Sequence, residues 1–155
     1  MFHWTGDLGP LHSFRLPDWR PFSMSPELDR GHGTTILVVE DEDVLRATIG
    51  RLLQAEGYTV LEAQNGAAAL EVLSGPSAAG VALVLTDLRM PVMDGRQFAA
   101  ALARVRPNLP VVFMSGFTAQ LMDMRLVSPH LAFLAKPFNN DALLAAVRGQ
   151  LNRSA

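Results

Sequence analysis

One stretch constrains this chain more than any other: Val81-Ala-Leu-Val-Leu-Thr-Asp87-Leu-Arg-Met-Pro91-Val-Met-Asp-Gly95. It opens on a continuous apolar run from Val81 to Leu85. A run this short, with no polar residue to face water, predicts a strand covered on both faces, as in a parallel sheet. The run ends at Thr86-Asp87. An ionisable carboxylate at the carboxyl end of a buried strand is costly, and open α/β sheets carry out their chemistry at that edge. Pro91 and Gly95 then impose a defined loop before the next helix. Read alone, Asp87 would serve equally well as a turn cap. The rest of the chain decides between the two.

At 155 residues with 49% hydrophobic residues, the chain is long enough for one globular domain with a real core. A net charge of −2 gives no field suited to nucleic acid or an anionic membrane. There is no cysteine, so disulfides, thiolate chemistry and cysteine-based zinc sites are excluded. No apolar run approaches the roughly 18 residues of a membrane span, and no signal-peptide pattern opens the chain. The expected location is the cytoplasm.

Residues 1–33 differ from everything after them. Pro10, Pro17, Pro21 and Pro26 oppose any helix or central strand, and Phe2, Trp4, Phe14, Trp19 and Phe22 follow no period. The segment reads as a disordered or loosely docked tail. An aromatic docking segment is one alternative, and a true start at Met24 is another. From Thr35 the pattern is regular. Strands are expected at Thr35–Val39, Tyr58–Glu62, Val81–Leu85, Leu109–Met114 and Leu131–Ala135. The first helix carries Leu45, Ile49, Leu52 and Leu53, with Asp43 as its N-cap and Gly57 at its end. The second follows Asn65-Gly66 and carries Ala69, Leu70 and Leu73, after which 74–80 forms a loop. The third carries Phe98, Leu102 and Val105 and stops at Pro107. A weaker fourth is capped by Thr118 and carries Leu121, Met122 and Arg125. The fifth starts near Asn140 with Leu144, Val147 and Leu151 inward. Five strands alternating with five helices predict a doubly wound parallel α/β sheet. The domain is expected over residues 34–152.

Polar residues gather at the strand ends: Glu40 and Asp41 after the first, Asp87 after the third, Ser115 after the fourth, Lys136 after the fifth. In a doubly wound sheet these ends share one edge. Each has an ordinary reading: a solvated helix start for 40–43, a turn for Ser115-Gly116, a surface charge for Lys136. Together they form a chemical set. Paired carboxylates are a hard-oxygen site suited to Mg²⁺. A metal would let Asp87 stay ionised beside its acidic neighbours and act as a nucleophile toward phosphorus. Lys136 and the Ser115 hydroxyl would meet oxygens of the arriving anion.

The pieces Ile36-Leu-Val-Val-Glu-Asp-Glu42, Leu85 to Gly95, Met114-Ser-Gly116 and Ala135-Lys-Pro-Phe138 resemble the receiver domain of two-component response regulators over about residues 34–152. The resemblance implies a flavodoxin-like fold with strand order 2-1-3-4-5. It implies Asp87 as phosphoacceptor, Glu40 and Asp41 as the acidic pair for Mg²⁺ (Asp41 more directly), and the main-chain carbonyl of Arg89 as a further ligand. Ser115 takes the role of the switch hydroxyl, Lys136 that of the phosphate-binding lysine, and Phe133 that of the aromatic switch. Phe133 reads equally well as a core residue. A cis Lys136-Pro137 peptide is also implied. Two departures stand out: Glu rather than the commoner Asp at 40, and Ser rather than the commoner Thr at 115.

The implied function is a phosphoacceptor signalling switch, fed from a phosphohistidine of a histidine kinase or histidine phosphotransfer protein. It is not an enzyme beyond its own phosphorylation and dephosphorylation. A haloacid dehalogenase-type phosphatase would need a second aspartate where Arg89 stands. A phosphorylation-independent interaction module on the same fold is the other alternative. The chain stops soon after the fifth helix, so output through protein contacts or onward phosphotransfer is expected. Met114-Ser-Gly-Phe-Thr118 and Lys136-Pro-Phe138 resemble receivers attached to hybrid histidine kinases. Met114, Met122 and Met124 suit a repackable partner surface or, for Met114, the core. A homodimer through the face formed by the fourth and fifth helices stays open. None of His3, His12, His32 and His130 sits in a phosphotransfer context, so no internal relay is expected.

Overall fold

A computed structural model describes residues 33–116 and 131–154. Five parallel strands form one sheet: β1 (Thr35–Val39), β2 (Thr59–Ala63), β3 (Val81–Asp87), β4 (Val111–Ser115) and β5 (Leu131–Ala135), in the order β2-β1-β3-β4-β5. This is the flavodoxin-like order expected from the sequence. Three strands shift slightly from their expected bounds: β2 by one residue, β3 by two more at its end, β4 to a later start.

Alternation along each strand divides the core in two, because successive side chains point to opposite faces. Ile36, Val38, Leu83, Leu85, Val112 and Met114 lie on one face with Ile49 and Leu53 of α1 (Asp43–Ala55) and Leu143 and Val147 of the C-terminal helix (Asn140–Ser154). Leu37, Val39, Val84, Val111 and Phe113 lie on the other with Ala69 of α2 (Gly66–Ser74) and Phe98 and Leu102 of α3 (Gly95–Val105). A sheet buried on both sides needs uninterrupted apolar strands, which is the pattern of Val81 to Leu85.

Local chemistry sets the helix starts. Asn65 Oδ1 accepts from the amide of Ala68 at 2.9 Å. Asp94 and Gln97 form a reciprocal capping box at α3, and Asn139 Oδ1 accepts from Ala142. Gly57, at φ 92, takes the left-handed conformation after α1. Helix α1 differs from expectation. Its N-cap is Glu42, not Asp43, and no side chain caps it; Asp43 lies inside the first turn and pairs with Arg46. Val105, the last residue of α3, is exposed, not inward. The loop expected at 74–80 contains a 3₁₀ turn, Pro76–Gly80.

Four α-helices occur among the described residues, where five were expected. The expected fourth, around Thr118–Arg125, lies outside those residues, as do the tail, Met122, Met124 and all four histidines. Met114 is fully buried in the core. Among the described residues, no helix is long and apolar enough to cross a membrane.

Gly149 interrupts the exposed side of the C-terminal helix, and a Cβ built there meets no atom within 4 Å. Gly149→Ala is therefore expected to stabilise the fold by about 1 kcal/mol, read as a higher urea midpoint at unchanged slope.

Candidate functional site

Strand register builds the site. Val39 pairs with Thr86, so Glu40 comes level with Asp87 on the neighbouring strand. Asp87 pairs with Met114 and Ser115 with Ala135, which brings Lys136 round to the same edge. The backbone amide of Lys136 donates to the Ser115 carbonyl at 2.9 Å, and the Lys136-Pro137 peptide is cis, as the resemblance implied.

Lys136 joins the two buried acids. Its Nζ lies 3.0 Å from Glu40 Oε2 and 3.2 Å from Asp87 Oδ2. The Glu40 side chain is 2% exposed, against 13% for Asp87. Glu40 Oε1 accepts from the Glu42 amide at 3.2 Å, so both of its oxygens are engaged by protein donors. Asp87 Oδ1 accepts from the Leu88 amide at 2.7 Å. Burial, joined by the charge of Asp87, pushes the Glu40 carboxyl above the usual carboxylate range, although the bond to Lys136 works against this. Burial acts on Lys136 to lower its pKa. The bond to Glu40 and the charges of Asp87 and Glu40 outweigh it and hold the ammonium above its ordinary value. Lys136 is the sole lysine of the chain, whose other basic side chains are arginine and histidine.

Asp41 is the outermost of the three acids. It is exposed and lines an open depression with Leu88, Arg89, Pro91, Asp94 and Arg96. Even so, ligand oxygens of Glu40, Asp41 and Asp87 all lie within 4.8 Å of one another. A convergent set of hard oxygen donors fits a divalent cation of the Mg²⁺ or Ca²⁺ type rather than a soft metal.

The loop that follows Asp87 is closed on itself. Gly95 N donates to Leu88 O at 2.9 Å, and Met93 N to Pro91 O at 2.7 Å. The second bond makes Val92 the centre of a γ-turn with φ 68, a conformation that strains a β-branched residue by roughly 1–3 kcal/mol. Gly66 N, at the start of α2, donates to Met93 O at 3.1 Å. Gly95 has no room for a side chain: a Cβ there would run into the Asp87 carbonyl and the Leu88 Cα.

The structure thus brings Glu40, Asp41, Asp87 and Lys136 together. Ser115 is buried at the same edge, one residue past the partner of Asp87. Arg89 is exposed beside Asp41 on the depression. Phe133 stands apart from the cluster. It is half-buried and stacks on Phe113, with ring centroids 5.6 Å apart and 20° between planes. Arg46, Val92 and the Asp94–Gln97 box were not picked out from sequence. Only the box had a sequence signal, an acid three residues ahead of a glutamine at a helix start.

Comparison with known proteins decides the family. The model of the response regulator receiver domain matches residues 36–148. The chain belongs to the response regulator receiver family. It is similar to the sensor kinase CckA of Brucella abortus, at 35% identity over 126 residues, covering 81% of this chain but 13% of the kinase. It is also similar to the receiver protein CpdR of the same organism, at 35% identity over 67% of this chain and 85% of CpdR. Among solved structures, a response regulator receiver protein from Sinorhizobium medicae matches with TM-score 0.69 and 34% identity, covering 79% of this chain and 97% of that one. The chain thus spans only a small part of the sensor kinase. Receiver domains are phosphoacceptor signalling switches of two-component systems, working with histidine kinases or phosphotransfer proteins, and are not conventional enzymes.

Two measurements follow from this geometry. With a single lysine, ¹³C reductive methylation labels only Lys136 and the terminal amine. The Lys136 signal is expected to titrate at lower pH in Glu40→Gln than in wild type, because burial is then opposed by Asp87 alone. Gly95→Ala is expected to cost about 1–3 kcal/mol by urea denaturation, through overpacking against the Asp87 carbonyl.

Proposed function

We propose that Asp87 is the phosphoacceptor of this receiver domain. One observation carries the reading: Lys136 Nζ bridges Asp87 and Glu40 at the carboxyl edge of the sheet, with Asp41 converging on the same point. An aspartate placed so is oriented by the Leu88 amide and faces a ready cation, the Lys136 ammonium.

In this reading an Asp87 carboxylate oxygen attacks the phosphorus of a phosphohistidine. The O–P bond forms, the P–N bond breaks, and the imidazole leaves with the electron pair. The product is an acyl phosphate. Lys136 already lies within hydrogen-bond distance of Asp87 and takes up an oxygen of the incoming group, while the Ser115 hydroxyl meets another. Mg²⁺ would be held by Asp41 and Asp87, with Glu40 and the Arg89 carbonyl as further oxygen donors. When bound, it supplies charge neutralisation for the phosphoryl oxygens. The similarity to CckA and CpdR supports a histidine kinase or histidine phosphotransfer protein as donor. Phe133 is proposed to follow Ser115, which requires its stack on Phe113 to loosen. A stacked pair of this kind adds only about 0.5–1.5 kcal/mol beyond burial, so the step is within reach of a phosphoryl group.

The test is intact mass after incubation with a small phosphoryl donor and Mg²⁺, on wild type and Asp87→Asn. A single phosphoryl adduct is expected, stable in acid, labile to hydroxylamine, and absent from Asp87→Asn. No adduct on wild type, or an adduct surviving the substitution, overturns the assignment.

A further inference from the structure

The β1–α1 turn concentrates negative charge. Glu40, Asp41, Glu42 and Asp43 are consecutive, and Glu62 stands on the neighbouring strand β2. Repulsion among them acts to splay the turn. One guanidinium spans it. Arg46 Nη1 donates to the main-chain carbonyl of Glu40 at 2.8 Å, and Nη2 donates to Asp43 Oδ1 at 2.6 Å. Its Nε lies 3.6 Å from Glu62 Oε2. The turn, the helix and the second strand therefore meet on one planar fork, whose side chain is 17% exposed.

The position is unfavourable by the usual rules. A cation in the first turn of a helix opposes the helix dipole. Helix α1 also begins without a side-chain cap. What offsets the dipole is the acidic run itself, together with the Glu40 carbonyl. Glu40 is consequently gripped at both ends, its carbonyl by Arg46 and its carboxylate by Lys136. Its amide is fixed as well, donating to the Ala63 carbonyl at 3.1 Å. A bonded carbonyl fixes the Glu40–Asp41 peptide plane, and that plane sets the direction in which the Asp41 side chain leaves the chain.

We propose that Arg46 is a positioning residue for the acidic site: it holds the Glu40–Asp41 peptide so that the Asp41 carboxylate faces Asp87, and it touches neither ion nor phosphoryl group. The inference rests on the reading that Asp41 and Asp87 hold a divalent cation. It gives Arg46 a sign opposite to that of simple electrostatics. Removing a positive charge beside an anionic site strengthens cation binding through space. Losing the grip on the turn weakens it.

The experiment is calorimetric titration of Mg²⁺ into the full chain as wild type, Arg46→Met and Arg46→Lys, each checked as folded by far-UV circular dichroism. Both variants are expected to bind Mg²⁺ about tenfold more weakly, the usual scale for losing a group that orients a ligand. Arg46→Lys is expected to be as weak as Arg46→Met, since a point-like ammonium cannot bridge acceptors on three segments. It also keeps the charge, so it carries the test if Arg46→Met does not fold. Mg²⁺ affinity equal to or tighter than wild type in the folded variants overturns the proposal. A wild type that binds no Mg²⁺ overturns the metal reading, and the role of Arg46 with it. The phosphoryl adduct on Asp87 is read separately by mass.

Discussion

Three carboxylates meet where β1 and β3 end, and one ammonium keeps the inner two there. Glu40 is almost wholly buried and Asp87 nearly so, and burial, joined by the charge of Asp87, raises the cost of ionising Glu40. Lys136 offsets that cost by touching both. Removing one member of such a buried set typically costs about 3–5 kcal/mol, because the partner left behind is charged and dry. The rest of the architecture serves this meeting. Parallel strands put every carboxyl end on one edge, and the register of β1 against β3 and of β4 against β5 brings the acids level and carries the lysine across.

The two acids after β1 divide the work between them. Glu40 turns inward, with both oxygens occupied by Lys136 and the Glu42 amide. Asp41 lies on the exposed side, lining the open depression, with its carboxylate still within reach of the other two. The longer glutamate arm fits the inner role, since it must reach from the end of one strand to a lysine arriving from the far edge of the sheet. Asp87 lies between them, bonded on one oxygen and ion-paired on the other.

Much of this was legible in the sequence, for definite reasons. Apolar runs ending in polar residues mark buried strands and the edge where they stop, so Asp87, Asp41, Glu40, Ser115 and Lys136 were found by position and chemical type together. Other features leave weaker marks. Asp43 looked like a cap because it is the last acid before an apolar period, yet Glu42 takes the cap position and Asp43 serves Arg46. Val105 fitted the helical period, but it is the last residue of α3 and is exposed, and period alone does not say where a helix ends. Arg46 was invisible for a different reason. An arginine three residues after an aspartate reads as a solvated helix pair, and its bond back to the Glu40 carbonyl depends on the shape of the turn. The γ-turn at Val92 left no signal at all, because valine is among the residues least suited to positive φ.

The direction of the chain through the sheet has a consequence for assembly. Strand β1 begins at Thr35 on the edge opposite the acidic cluster. The C-terminal helix starts beside Lys136 and runs back, so that Ser154 lies near Ala82 and Pro110, where β3 and β4 begin. Both described ends of the domain therefore lie away from the edge that carries the acidic cluster. A receiver wired this way can be spliced to other modules at either end without shading its own mouth, which suits a unit that makes up a small fraction of a sensor kinase and most of a small receiver protein among its relatives.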